Sequence, residues 1–110
     1  MENCLFCRIV AGSLPATIVY RTESAVAFAD RTPQAPTHVL IVPTSHCDGF
    51  QDLPAGDAAG LVATVQETAR LLGVERAYRL VTNQGAGAGQ SVFHLHFHLL
   101  AGRPLQWPPG

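Results

Sequence analysis

Apolar and polar positions divide the chain into helices and strands before any chemistry is considered. Leu5 to Ala11 reads as a short helix, and Gly12 suits its C-terminal stop. Thr17 to Arg21 is rich in β-branched residues and reads as a strand. Thr22 to Ser24 is a turn, and Ala25 to Ala29 is its hairpin partner. Asp30 to Pro36 carries two prolines and forms a loop. Thr37 to Val42 is a buried strand ended by Pro43, which cannot extend a hydrogen-bonded ladder. After an irregular stretch from Asp48 to Gly56, Asp57 is placed to cap a helix running to about Leu72, with Gly73 beyond it. Leu61, Val62, Val65, Ala69 and Leu72 recur at helical spacing and predict one buried face. Arg76 to Thr82 and Val92 to Leu100 read as strands flanking a glycine-rich loop, and Trp107 to Gly110 ends the chain in extended form. Hairpin-linked strands without a regular βαβ rhythm predict an α+β fold. It has a mainly antiparallel sheet of about five strands, one long helix and a short N-terminal helix, in a single domain over residues 1–110.

One strand carries an unusual pattern: His94-Leu95-His96-Phe97-His98-Leu99-Leu100. Side chains alternate faces along a strand, so Leu95, Phe97 and Leu99 are expected to enter a core. His94, His96 and His98 then share the opposite face, which is expected to be accessible. An unperturbed imidazole titrates near about pH 6.5, so near neutrality one ring can attack an electrophile while its neighbour donates a hydrogen bond. A His-x-His pair can also hold a catalytic zinc. Same-face neighbours lie about 6.6–6.8 Å apart, so a single ion could take two of the three rings.

The loop entering this strand, Asn83-Gln84-Gly85-Ala86-Gly87-Ala88-Gly89-Gln90-Ser91, lets backbone N–H groups approach an anion closely. Ser91 adds a hydroxyl and Asn83 an amide. The loop lacks the lysine of a P-loop. Beside a histidine face it suits phosphoryl or nucleotidyl transfer through a phosphohistidine, with no catalytic metal required.

Composition narrows the class. The chain has 110 residues, is 47% hydrophobic and only 14% charged, which describes a folded globular domain. A formal net charge of −1 supplies no broad basic field for a nucleic-acid backbone. No apolar run approaches the roughly 20 residues of a membrane helix, and no secretory signal is visible. A cytoplasmic location is the expectation. Three cysteines cannot all pair within one chain; in a reducing compartment they stay thiols or bind metal.

His94 to Leu100 resembles the histidine triad family, whose signature is His-φ-His-φ-His-φ-φ with φ apolar. Asp30, Pro33 to His38, Asn83, Gly89 to Val92 and Trp107 to Gly110 are similar to the branch of histidine triad nucleotide-binding proteins. The resemblance spans nearly the whole chain. It implies a homodimer that hydrolyses purine nucleoside phosphoramidates, including adenylylated amines and lysine. In this chain His96 would attack the α-phosphate of an AMP-type substrate, His98 would hydrogen-bond it, and His38 would support the histidine network. Asp30 would bind the ribose hydroxyls. Asn83, Gly89 and Ser91 would contact the phosphate and leaving-group side, and Trp107 would reach the partner's pocket. Cys4-Leu5-Phe6-Cys7 is a CxxC that by itself is open between zinc, redox chemistry and chance, although the βαβ context of a thioredoxin-like site is absent. The resemblance implies a structural zinc, with His46 and His94 joining Cys4 and Cys7. Three rival functions remain: a dinucleoside polyphosphate hydrolase or nucleotidyl transferase, a zinc-stapled nucleotide-binding adaptor, and a catalytic zinc hydrolase.

Overall fold

The structure is a computed structural model and describes residues 3–110. Its elements follow in the order α1 (Leu5–Val10), β1 (Ile18–Arg21), β2 (Ala25–Ala29), β3 (Thr37–Pro43), α2 (Ala55–Leu71), β4 (Arg79–Val81) and β5 (Phe97–Ala101). The five strands form one antiparallel sheet in the order β1-β2-β3-β5-β4. The expected α+β architecture is therefore present.

Strand β2 and all of β3 after Thr37 and His38 are apolar, and both strands are largely buried on both faces. One face holds Ala25, Ala27, Val39, Ile41 and Leu99, covered by Leu61, Val65 and Ala69 of α2. The other holds Val26, Phe28, Leu40 and Val42, covered by Phe6 and Ile9 of α1. Removing a side chain such as Leu99 from water contributes about 1.5–3 kcal/mol, so both layers hold the sheet firmly. Gly12 (φ +79°) and Gly73 (φ +72°) lie just past the two helices, in the left-handed conformation that a helix stop requires.

Three elements differ in extent from the sequence expectation, and one helical position differs in burial. Helix α2 starts at Ala55 after Pro54, and Asp57 lies inside the first turn instead of capping it. A carboxylate there still complements the positive end of the helix. Val62 is half-exposed, because Thr64 and Thr68 take inner positions by hydrogen-bonding to the helix carbonyls of Gly60 and Thr64. Strand β4 is limited to Arg79–Val81. Strand β5 begins only at Phe97, not at Val92. Upstream of it the backbone leaves the ladder: Leu95 N–H donates to Cys47 O at 2.8 Å, and the Thr82 hydroxyl donates to His96 O at 2.8 Å. Neighbouring β3 ends in Pro43, which has no N–H to offer.

Candidate functional site

The histidines do lie opposite Leu95 and Leu99, as alternation predicts, but their face is not open. Phe6 of α1 lies edge-on against His96 with ring centroids 5.0 Å apart and against His94 at 6.0 Å. His94 is fully buried and His96 only 6% exposed, while His98 is half-buried. The expectation of an accessible row is thus corrected. The cause is a helix from the other end of the sequence, which strand periodicity does not register.

Pairing in the sheet brings His38 and His98 together. Leu40 sits opposite His98, and His38 opposite Leu100, so the two histidines are diagonal neighbours on one face. His38 Nε2 lies 2.9 Å from His98 Nδ1. The backbone N–H of Gln34 donates to His38 Nδ1 at 3.0 Å, which leaves the His38 proton on Nε2. That proton points to His98 Nδ1, so His98 in turn carries its own proton on Nε2. Asp30 Oδ2 stands 3.4 Å from His38 Nε2 and 4.0 Å from His98 Nδ1, while its Oδ1 accepts from Thr32 N–H in a local turn. Burial holds the His98 pKa below 6.5, and the neighbouring His96 and His38 push in the same direction.

His96 has the complementary tautomer. Its Nδ1 lies 2.9 Å from the carbonyl oxygen of His94, which can only accept, so the proton is on Nδ1. Nε2 keeps its lone pair and makes no hydrogen bond to a described residue. No buried side-chain nitrogen or oxygen among the described residues lacks a partner, so this nitrogen retains some surface. The arrangement sets a free lone pair on His96 beside an N–H donor on His98, with ring centroids 5.2 Å apart.

A cleft of about 550 Å³ opens against α1, lined by apolar Leu5, Phe6, Ile9, Phe28 and Leu40, with Asp30 also on its wall. Its size and lining suit a flat apolar ring system, and its carboxylate can accept from hydroxyls. Asn83 and Gly89 lie together: a Cβ added at Gly89 would stand 3.8 Å from the Asn83 amide nitrogen. Gly89 has φ +99°, which favours glycine. Ser91 is exposed and lines a second, wider cleft with Asn3, Cys4, Leu5, His46, Asp48, Val92 and Phe93. Trp107 is 82% exposed. Among the described residues, no hydrogen bond joins Asn83, Ser91 or Trp107 to the histidines.

The remaining predicted ligands also converge. Cys4 Sγ is 3.2 Å from His94 Nδ1, Cys7 Sγ is 3.3 Å from His46 Nδ1 and 3.4 Å from His94 Nδ1, and the two Nδ1 atoms are 3.1 Å apart. His94 Nε2–H donates to Pro43 O, and His46 Nε2–H to Asp48 Oδ1, each at 2.9 Å. Both Nδ1 atoms therefore present lone pairs to each other, and burial lowers the His94 pKa, which disfavours a proton between them. Burial, then a hydrogen bond and charge repulsion from Cys4, pushes the Cys7 thiol up to about 11. Two lone pairs and two thiols facing one point form a donor set that a cation would relieve. A tetrahedral zinc with these ligands has donor–donor edges of about 3.3–3.8 Å, within a few tenths of the spacings found. Carboxylate support from Asp48 behind His46 is the usual outer partner of a metal-binding imidazole. His96 belongs to neither metal-competent group among the described residues, the second being Asp30, His38 and His98.

Similarity to known proteins agrees with this geometry. The family model described as HIT domain matches residues 11–105. The chain belongs to the HIT family. A HIT family hydrolase from Legionella pneumophila superposes with a TM-score of 0.92 at 44% identity, covering 98% of this chain and 100% of that one. A HIT-like protein of Synechocystis is 43% identical over 99% of this chain and 98% of its own length. A 14 kDa zinc-binding protein of Zea mays is 40% identical over 96% of this chain and 87% of its own. This HIT protein has no helix among the described residues long and apolar enough to cross a membrane.

Five site residues escape a reading of motifs alone. Phe6 packs on two histidines, Asp48 backs His46, and Gln34 fixes the His38 tautomer through its backbone. Thr82 anchors the His96 carbonyl. Gln90 is buried and bridges the glycine loop, accepting from Gly85 N–H at 2.7 Å and donating to Asp48 O at 2.6 Å. Only Asp48, two residues beyond His46, leaves a visible trace, as a carboxylate within reach of the ring it supports.

Proposed function

We propose that this HIT-family protein is a nucleotide-binding hydrolase of the histidine triad nucleotide-binding branch, cleaving purine nucleoside phosphoramidates through a phosphohistidine-linked nucleotide. The observation that carries this reading is the pair of opposed tautomers: a free Nε2 lone pair on His96 beside an Nε2–H on His98. The α1 cleft takes the purine nucleoside, with Asp30 at the ribose hydroxyls. Nε2 of His96 attacks the α-phosphorus, and the phosphorus–nitrogen bond breaks in line. The departing amine leaves with that electron pair and takes up a proton from water. The His94 carbonyl, already accepting from Nδ1–H, stabilises the cationic ring that forms. His98 donates to a phosphate oxygen, and Asn83, Gly89 and Ser91 add contacts toward the leaving group. Water then releases the nucleoside monophosphate and restores His96.

The reading includes a structural zinc held by Cys4, Cys7, His46 and His94; when bound it supplies charge neutralisation and a fixed N-terminal segment, not a step of the chemistry. It also includes a homodimer. Support comes from β4, an edge strand with half-exposed Leu80, and from Trp107, which is free to reach a second subunit.

His96→Gly should lose at least about a hundredfold in turnover of an adenosine phosphoramidate while still binding AMP. Near-normal turnover in that variant would remove the proposal. Faster turnover of a diadenosine polyphosphate than of the phosphoramidate by the native protein would transfer the assignment to the polyphosphate hydrolases.

A further inference from the structure

The helix that floors the nucleoside cleft is also the helix that carries half of the metal cluster. Cys4 caps α1, its Sγ accepting from Cys7 N–H at 3.3 Å, and Cys7 lies within the helix. Phe6 sits between them, only 4% exposed, and packs on Phe28 at 5.5 Å as well as on His94 and His96. Leu5, Phe6 and Ile9 line the cleft. A six-residue helix has no stability of its own, so its position is set by what grips it. The far side of the cluster acts on the same centre: the ring of His94 faces the thiols while its carbonyl holds the proton of His96.

We infer that metal binding at Cys4, Cys7, His46 and His94 and nucleoside monophosphate binding in the α1 cleft are energetically coupled, with Phe6 as the positioning residue that carries the coupling. An ion drawing the four donors together fixes both ends of the contact, α1 and residue 94. Phe6 is then held against His96 and the cleft wall is formed in advance. A nucleotide that presses on this wall favours the same placement of α1 and so tightens the metal. The two effects are one coupling free energy, and the two fold-changes must be equal.

The inference rests on the nucleotide reading above, and the test separates the two. AMP affinity is measured by calorimetry on protein stripped by a chelator and on protein reloaded with one equivalent of Zn²⁺. Zn²⁺ affinity is measured by competition with a chromogenic chelator, with and without saturating AMP. The expected result is tightening by at least about fivefold in both directions, equal within error, with far-UV circular dichroism unchanged by stripping. In Phe6→Leu the two fold-changes should fall together toward onefold, whatever shift the variant brings to Zn²⁺ or AMP affinity measured alone. AMP binding that ignores Zn²⁺ overturns the coupling and leaves the hydrolase reading standing. So do global unfolding on stripping and coupling that survives intact in Phe6→Leu, while absence of Zn²⁺ binding overturns the coupling together with the structural zinc of that reading. Absence of AMP binding in either state overturns both.

Discussion

Replacing His38 by leucine tests the proton order of the site without touching the proposed nucleophile. In the native arrangement the Gln34 N–H occupies His38 Nδ1, so His38 must donate from Nε2 to His98 Nδ1 at 2.9 Å. Leucine offers no donor. His98 is then free to take either neutral tautomer, and the form with its proton on Nε2 loses the advantage of one hydrogen bond. That advantage is about 0.5–1.5 kcal/mol, or roughly two- to twelvefold in the ratio of the two tautomers. With no bias left, the donor form falls from most of the population to about half, so turnover should fall by up to about twofold with little change in KM, because His98 is proposed to act on the phosphate and not on the nucleoside. Stability should also drop, by about 1–3 kcal/mol, because the Gln34 N–H loses its acceptor in a partly buried position. The assays are steady-state hydrolysis of an adenosine phosphoramidate, denaturant unfolding, and ¹⁵N spectra of the His98 ring, which should show the proton shared between Nδ1 and Nε2. Unchanged turnover in a folded variant would refute the tautomer argument. So would a loss as large as that of His96→Gly, since His38 would then act in the chemistry itself.

Two further outcomes follow from the same geometry. The stabilisation tied to neutral His98 should be complete above about pH 6.5 and be lost as the pH drops through its lower folded pKa, as followed by denaturant unfolding against pH. A difference in unfolding free energy between native protein and His98→Leu that does not change below pH 6.5 would contradict this. Asp48→Ala should weaken Zn²⁺ binding by about tenfold in a chelator competition, near the lower end of the usual effect because water can replace an exposed carboxylate behind His46.

Much of this was legible in the amino-acid pattern, for identifiable reasons. Strands β2 and β3 announce themselves because both faces are covered and the runs Ala25–Ala29 and Thr37–Pro43 are almost uninterrupted in apolar character. Gly12 and Gly73 mark helix ends because only a residue without a Cβ enters that backbone region readily. The alternation at His94 to Leu99 assigns faces correctly, since leucines and histidines do segregate to opposite sides. It gives the wrong depth and the wrong strand start. Depth depends on Phe6, and the nearby Cys4–His94 contact spans 90 positions of sequence. The start depends on hydrogen bonds to Cys47 and Thr82 that no period encodes. The tautomers of His38, His94 and His96 were equally hidden, because they are set by the backbone groups of Gln34, Pro43 and His94 and not by side-chain identity.

The placement of Trp107 has a practical consequence for anyone following this protein by fluorescence. It is the chain's single indole and lies almost wholly in water, on a tail whose carbonyls at Leu105 and Gln106 are gripped by Arg79. Its emission should already be red-shifted in the native state, so it would scarcely register melting of the sheet. A blue shift would instead report that something apolar has settled over the tail, which makes this residue a built-in probe of association and a poor one of denaturation.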